Sequence, residues 1–181
     1  DISAIQTEQV SVLSQAIQIT GWVDNLYNGN LVFWRPGKVK GNNITQLWLT
    51  WLALCANGTV ANDKRAYFIG IDDKEPFSIS AIDMYEAKTQ LAIFIRYWRI
   101  GLQQVLHFYP KTAYEWLSGS DEKKALLKAQ NMFYGSYFAK GEGDEPHIRR
   151  VCPDLAEHFD AFGHVSHALL GPLFDSIEAE S

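Results

Sequence analysis

The pair Asn28-Gly29 stands between two hydrophobic runs and dictates a tight reversal of the chain. Asn-Gly supplies the two positive φ angles of the turn whose twist matches that of paired strands. Before it, Ala16-Ile17-Gln18-Ile19-Thr20-Gly21-Trp22-Val23 is rich in β-branched and aromatic residues, and after it comes Leu31-Val32-Phe33-Trp34. Both runs predict strands. Pro36-Gly37 ends the second. A lone carboxylate, Asp24, is expected on the first strand, with Phe33 and Arg35 at alternate positions of the second.

Helical spacing begins after this hairpin. Gly41-Asn42-Asn43 offers an N-cap for a helix over residues 44–55, apolar around most of its circumference and therefore buried. Asn57-Gly58 stops it. Residues 65–71 and 76–79 predict two strands joined across Asp72-Asp73-Lys74-Glu75. Ser80-Ala81-Ile82-Asp83 has the form of a capping box, opening a long helix that runs to about Leu106. Pro110 breaks that pattern, and shorter helices are expected within residues 112–117, 121–138 and 155–170. Residues 1–15 are polar and weakly periodic. Strands first and helices afterwards, with no repeat or linker, predict one α+β domain over residues 1–181 with a small, mostly antiparallel sheet.

A chain of 181 residues buries roughly 70% of its unfolded surface. Its net charge of −5 argues against a strong, autonomous nucleic-acid binder, so a DNA role must use a local basic patch. Two basic clusters exist: Arg35, Lys38 and Lys40 beside Trp34, and Arg149 and Arg150 beside His147. An exposed aromatic among cations stacks on a base or packs on a partner; a mixed charged surface is the plainer reading. Cys55 and Cys152 form no redox or zinc motif. Cys55 lies in an apolar run and reads as a buried free thiol, which fits a reducing cytoplasm. No apolar stretch is long enough to span a bilayer, so no membrane partner is expected. The chain begins at Asp1 and is taken as a fragment of a larger subunit.

Metal-dependent DNA hydrolysis needs a divalent ion held by carboxylates, which lowers the pKa of a bound water and neutralises phosphate charge. Asp24 is one carboxylate. Phe33 has no oxygen to give, and Arg35 stays protonated, able to bind phosphate but not to act as a base. Asp24 with Arg35 therefore reads as an ion pair. Asp72-Asp73-Lys74 has a nuclease-like spacing but falls where the chain should turn, and solvated charges are the better account. His158, His164 and His167 lie near Glu157 and Asp160 without the spacing of a zinc motif, so surface or capping roles are expected. Gly141-Glu142-Gly143-Asp144 lacks the Lys-Ser/Thr of a phosphate-cradling loop. No catalytic residue, metal or cofactor is expected.

Gln46-Leu47-Trp48-Leu49, Leu52-Ala53-Leu54-Cys55-Ala56-Asn57-Gly58, Ala113-Tyr114-Glu115-Trp116-Leu117, Gly141-Glu142-Gly143-Asp144 and Leu169-Leu170-Gly171-Pro172-Leu173-Phe174 together resemble the C-terminal domain of the RecC (gamma) subunits of exodeoxyribonuclease V. The resemblance implies a restriction-endonuclease-like (PD-(D/E)XK) fold with a degenerate active site, related to the nuclease domain of the RecB subunit. That pattern has an Asp, then Asp-x-Lys on the next strand, then a Gln-Leu-x-x-Tyr-like helix. This chain has Asp24, Phe33 and Arg35 at the first positions, then Gln46-Leu47 with Thr50 in place of the tyrosine. The resemblance further implies a non-catalytic part in strand separation, strand guidance and subunit assembly during double-strand break repair and DNA degradation. RecB, RecD and a duplex DNA end with its separated strands are the implied partners, and ATP-dependent activity belongs to the complex. Trp34, Arg35, Lys38, Lys40, Arg149 and Arg150 are the candidates for DNA or partner contact. Two rivals stay open: an active magnesium nuclease pairing Asp24 with a displaced carboxylate such as Asp72 or Asp73, and a pure protein–protein interaction module.

Overall fold

Residues 3–12, 15–71, 75–119, 121–137 and 139–178 are described by the computed structural model. It opens with an antiparallel ladder of β1 (Ser3–Val12) and β2 (Gln15–Val23), whose register slips between Ile5 and Glu8. β1 falls on a segment whose polar, weakly periodic sequence does not predict a strand. β2 matches the first predicted strand, but it is not the arm of the Asn-Gly turn. The chain breaks at Asp24-Asn25, where Asn25 has a φ of 66°. The arm is instead the two-residue β3 (Leu26–Tyr27), antiparallel to β4 (Asn30–Trp34). Asn28 and Gly29 between them have φ angles of 51° and 81°, the turn their chemistry predicts. Asp24 thus sits at the junction between two sheets rather than on a strand beside Phe33.

After β4 the chain enters α1 (Gly41–Ala56) and returns as β5 (Arg65–Ile69), parallel to β4. A parallel return needs a crossover, and α1 provides it. β6 (Phe77–Ser80) pairs antiparallel with β5 as expected, giving a mixed sheet ordered β3-β4-β5-β6. Residues 72–74, the Asp-Asp-Lys candidate, lie outside the described residues.

The apolar circumference of α1 explains its place. Ile44, Leu47, Trp48, Trp51, Leu52 and Cys55 are all buried, as are Leu31, Ala66, Phe68 and Ile79 of the sheet. Full burial stabilises by about 1.5–3 kcal/mol for each large aliphatic side chain. Trp51 keeps its polar edge satisfied by donating from Nε1 to the Ser80 carbonyl at 2.7 Å. α2 (Met84–Gly101) is capped by Asp83, whose Oδ1 accepts from the N–H groups of Tyr85 (2.8 Å) and Glu86 (3.3 Å). The cap therefore lies three positions beyond Ser80, which closes β6, and the helix stops short of Leu106.

The chain groups into two compact units, one of Asp1–Arg96 with Ser176–Ser181 and one of Tyr97–Asp175. The second contains α3 (Pro110–Leu117), α4 (Glu122–Tyr134), the two-residue strands β7 (Gly135–Ser136) and β8 (Ala139–Lys140), and α5 (Pro146–Val151). α6 (Phe159–Glu178) follows a 3-10 turn at Ala156–His158. The short α5 has no counterpart among the expected helices, and α4 ends at Tyr134 rather than Phe138. Aromatic contacts fill this unit: Tyr109 lies 5.2 Å from Phe133 and 6.0 Å from Phe162, and Trp116 lies 5.5 Å from Phe162. Another 3-10 turn, Glu142–Asp144, places the Glu142 side chain in the interior. Among the described residues, no helix is long and apolar enough to cross a membrane.

Candidate functional site

The parallel register of β4 and β5 sets Phe33 opposite Phe68, and their rings meet edge to face at 6.1 Å and 82°. Such pairs contribute about 0.5–1.5 kcal/mol beyond area burial. Trp34, the next residue, points outward and is 69% exposed. Arg35 continues the ladder by donating its backbone N–H to the Ile69 carbonyl at 3.1 Å. Its guanidinium turns to α1, where Nη1 donates to Asn43 Oδ1 at 2.8 Å. The same oxygen accepts the Lys40 N–H at 3.2 Å, so Asn43 joins the first turn of α1 to Arg35. Arg35 Nε is buried and has no hydrogen-bond partner among the described residues.

These groups line a pocket of about 420 Å³ together with Asn25, Pro36 and Gln46. Three of the four nuclease-like positions named from the sequence, Phe33, Arg35 and Gln46, meet there. The fourth does not. Asp24 is exposed and outside the lining, and among the described residues its side chain makes no hydrogen bond or ion pair. The expected Asp24–Arg35 pair is replaced by Arg35–Asn43, because the break after β2 turns Asp24 away while α1 brings an amide to the guanidinium.

Among the described residues, the lining contains no carboxylate. A hard divalent cation needs anionic oxygens, and a guanidinium repels it, so these residues do not fit a resident magnesium ion. They suit an anion and a flat ring instead: a guanidinium with an unused donor, three side-chain amides (Asn25, Asn43 and Gln46), and the faces of Phe33 and Trp34.

Lys38 and Lys40 are exposed on the segment leading to α1, and neither has a carboxylate partner among the described residues. Arg149 and Arg150 are exposed in the last turn of α5, in the second unit, and are likewise unpaired among the described residues. His164 and His167 are exposed on α6, with the His167 ring 4.8 Å from Trp116. His158 belongs elsewhere: its ligand atom, one from His107 and the Cys152 sulfur lie within 4.8 Å of one another. Nothing in the sequence joins His107 to this group, since the three come from separate segments. Both cysteines are free and buried, and burial pushes the Cys55 thiol up to about 11.

Residues 2–121 match the RecC C-terminal domain family. The chain is also similar to the RecBCD enzyme subunit RecC of Escherichia coli (strain K12), at 28% identity over 183 residues, covering 93% of this chain. It spans only 16% of that relative's length. The family match runs through the Asn-Gly turn, the pocket, α1 and the mixed sheet, and the chain belongs to the RecC C-terminal domain family.

Proposed function

We propose that this chain is a non-catalytic, nuclease-like domain that handles DNA within a helicase–nuclease complex of the RecBCD kind. In this reading the first unit retains a restriction-endonuclease-like arrangement without its metal chemistry. The observation that carries it is the meeting of Phe33, Arg35 and Gln46 in one pocket whose lining, among the described residues, has no carboxylate. An aromatic edge stands where a metal-binding oxygen is needed, and a guanidinium where a lysine would stand. The chain's likeness to a RecBCD subunit supplies the setting, with RecB and RecD as the partner subunits.

Arg35, Lys38 and Lys40 then neutralise backbone phosphates of a passing strand, and Trp34 offers its face to a base. The test has two arms. Magnesium-dependent cleavage by the isolated chain is expected to be absent; cleavage abolished by Asp24→Ala sinks the reading. In the assembled complex, neutralising Arg35, Lys38 and Lys40 together is expected to weaken DNA affinity. It should also flatten the salt dependence by about one unit of slope for each phosphate left without its cation. Unchanged affinity and slope reject the DNA reading.

A second role, assembly, is supported by a different observation. Trp22 (71% exposed), Tyr27 (61%) and Ile71 (71%) present large apolar groups on the first unit. Exposed apolar groups of this size mark protein contacts when they form one patch. Trp22→Ser with Tyr27→Ser is expected to weaken subunit association while leaving DNA affinity of the assembled fraction unchanged.

A further inference from the structure

The second unit holds chemistry that the DNA reading does not use. His107 lies in the segment before α3, Cys152 immediately after α5, and His158 in the 3-10 turn before α6. Each offers one ligand atom, and the three atoms lie within 4.8 Å of one another. Cys152 is fully buried, and both histidines are half-buried. The two imidazole rings stack with centroids 4.1 Å apart and planes 13° from parallel.

The surroundings hold one of these rings in place. His107 Nδ1 lies 2.9 Å from the Tyr109 hydroxyl, so in a metal complex that keeps this contact Nε2 would be the ligand. Tyr109 is itself buried and wedged against Phe133 and Phe162. A metal-ligating histidine characteristically spends its second nitrogen on such a partner, which fixes the ring's tautomer and direction. The Cys152 thiol donates to the Asp154 carbonyl at 3.5 Å, a weak hydrogen bond that metal binding would replace.

We propose that His107, Cys152 and His158 bind a zinc ion and so staple together the segments flanking α3, α5 and α6. Two nitrogens and one thiolate are a ligand set that zinc favours, and magnesium or calcium does not. Zn–N lengths near 2.0–2.1 Å and a Zn–S length near 2.3 Å place ligand atoms roughly 3.3–3.6 Å apart in a tetrahedron. Closing the cluster from its present spread brings ligand atoms together by up to about 1.2–1.5 Å on that geometry, and the stacked rings must also rotate so that both lone pairs face one point. Water completes the fourth position. As the Zn–S bond forms, the Cys152 S–H bond breaks and one proton passes to solvent.

The test uses the 181-residue chain purified without a metal-chelating resin. Zinc is counted by plasma mass spectrometry, and the metal-free chain is titrated with Co²⁺ to reveal a thiolate-to-cobalt charge-transfer band. About one zinc per chain is expected, with the band present, since the three ligands make a single site. His107→Gln and His158→Gln are expected to lower zinc affinity by more than the roughly 10–100-fold lost with an outer-shell partner. His164→Gln, on the exposed side of α6, is expected to change nothing. Cys152→Ser should abolish the band; its survival there assigns the thiolate to Cys55 and overturns the proposal. Should Cys152→Ser fail to fold by circular dichroism, the two histidine variants decide, through whether zinc still raises their melting temperature as it does for the parent. A folded parent chain that takes up no zinc and shows no band also overturns it.

Discussion

Glu142 caps the first turn of α3 through Thr112, thirty residues away in sequence: its Oε2 accepts the Thr112 N–H at 2.7 Å and the Thr112 hydroxyl at 2.8 Å. Its Oε1 accepts the Lys111 N–H at 3.1 Å. Tyr109, at the N-cap, has no side-chain acceptor for these donors, and Pro110 has no N–H to satisfy. The carboxylate also sits at the positive end of the helix dipole.

Glu142→Ala leaves the buried N–H and hydroxyl of Thr112 and the part-buried Lys111 N–H without this acceptor. The expected loss is about 2–3 kcal/mol, the scale of hydrogen bonds to a buried charged group. Glu142→Gln keeps one acceptor oxygen and is expected to lose less. Urea unfolding reads both as a lower midpoint at unchanged slope. A Glu142→Ala midpoint equal to the parent's removes the capping role.

Asn43 serves two neighbours with one oxygen, Arg35 and the Lys40 N–H. Asn43→Ala is expected to cost about 1 kcal/mol, as helix-cap deletions do. Asn43→Asp keeps the acceptor for both and adds an ion pair with Arg35, so stability is expected to return at neutral pH. The same variant places a carboxylate in the pocket and should weaken DNA binding by the complex. Stronger binding by Asn43→Asp would argue against a phosphate at Arg35.

Asp121 caps α4, accepting the Lys124 N–H at 2.9 Å, with the Lys124 ammonium 3.1 Å away. That backbone hydrogen bond, followed by the Lys124 side chain, holds its carboxyl below the ordinary value. A carboxylate whose pKa is lowered by folding stabilises the fold above its unfolded pKa, and the contribution is lost as pH falls through the folded value. The difference in melting temperature between the parent and Asp121→Ala is therefore expected to be full at neutral pH. It should shrink as pH drops below the ordinary aspartate value of about 3.9. A difference that persists at the acid end assigns the effect to helix propensity rather than to the charge.

Local chemistry makes part of this fold legible. Asn28-Gly29 turns as its side chains demand, residues 44–55 form a helix that buries its apolar circumference, and the strands within residues 65–71 and 76–79 pair as neighbours. Each of these features is written within a few residues of where it acts. The strand Ser3–Val12 is not legible in the same way, because its pattern is weak alone and β2 supplies its pairing. Gly141-Glu142-Gly143 lacks the residues of a phosphate loop, yet nothing local tells its purpose. A side chain at Gly141 would run into the backbone of Phe133 and Gly135, so glycine there lets the turn close and deliver Glu142 to α3.

The sequence by itself determined many of the element types, the buried face of α1, and a hairpin whose positions 33 and 35 lack the groups metal hydrolysis needs. Tertiary structure alone decided which residues share a site. The parallel pairing of β4 with β5 set Phe33 against Phe68, α1 offered Asn43 to Arg35, and the break at Asn25 left Asp24 in solvent. It also drew His107, Cys152 and His158 together from three segments. The physical reason is separation along the chain: turn chemistry and helical period act over a few residues, whereas the closure of long loops is decided by what their packed ends bury and bond.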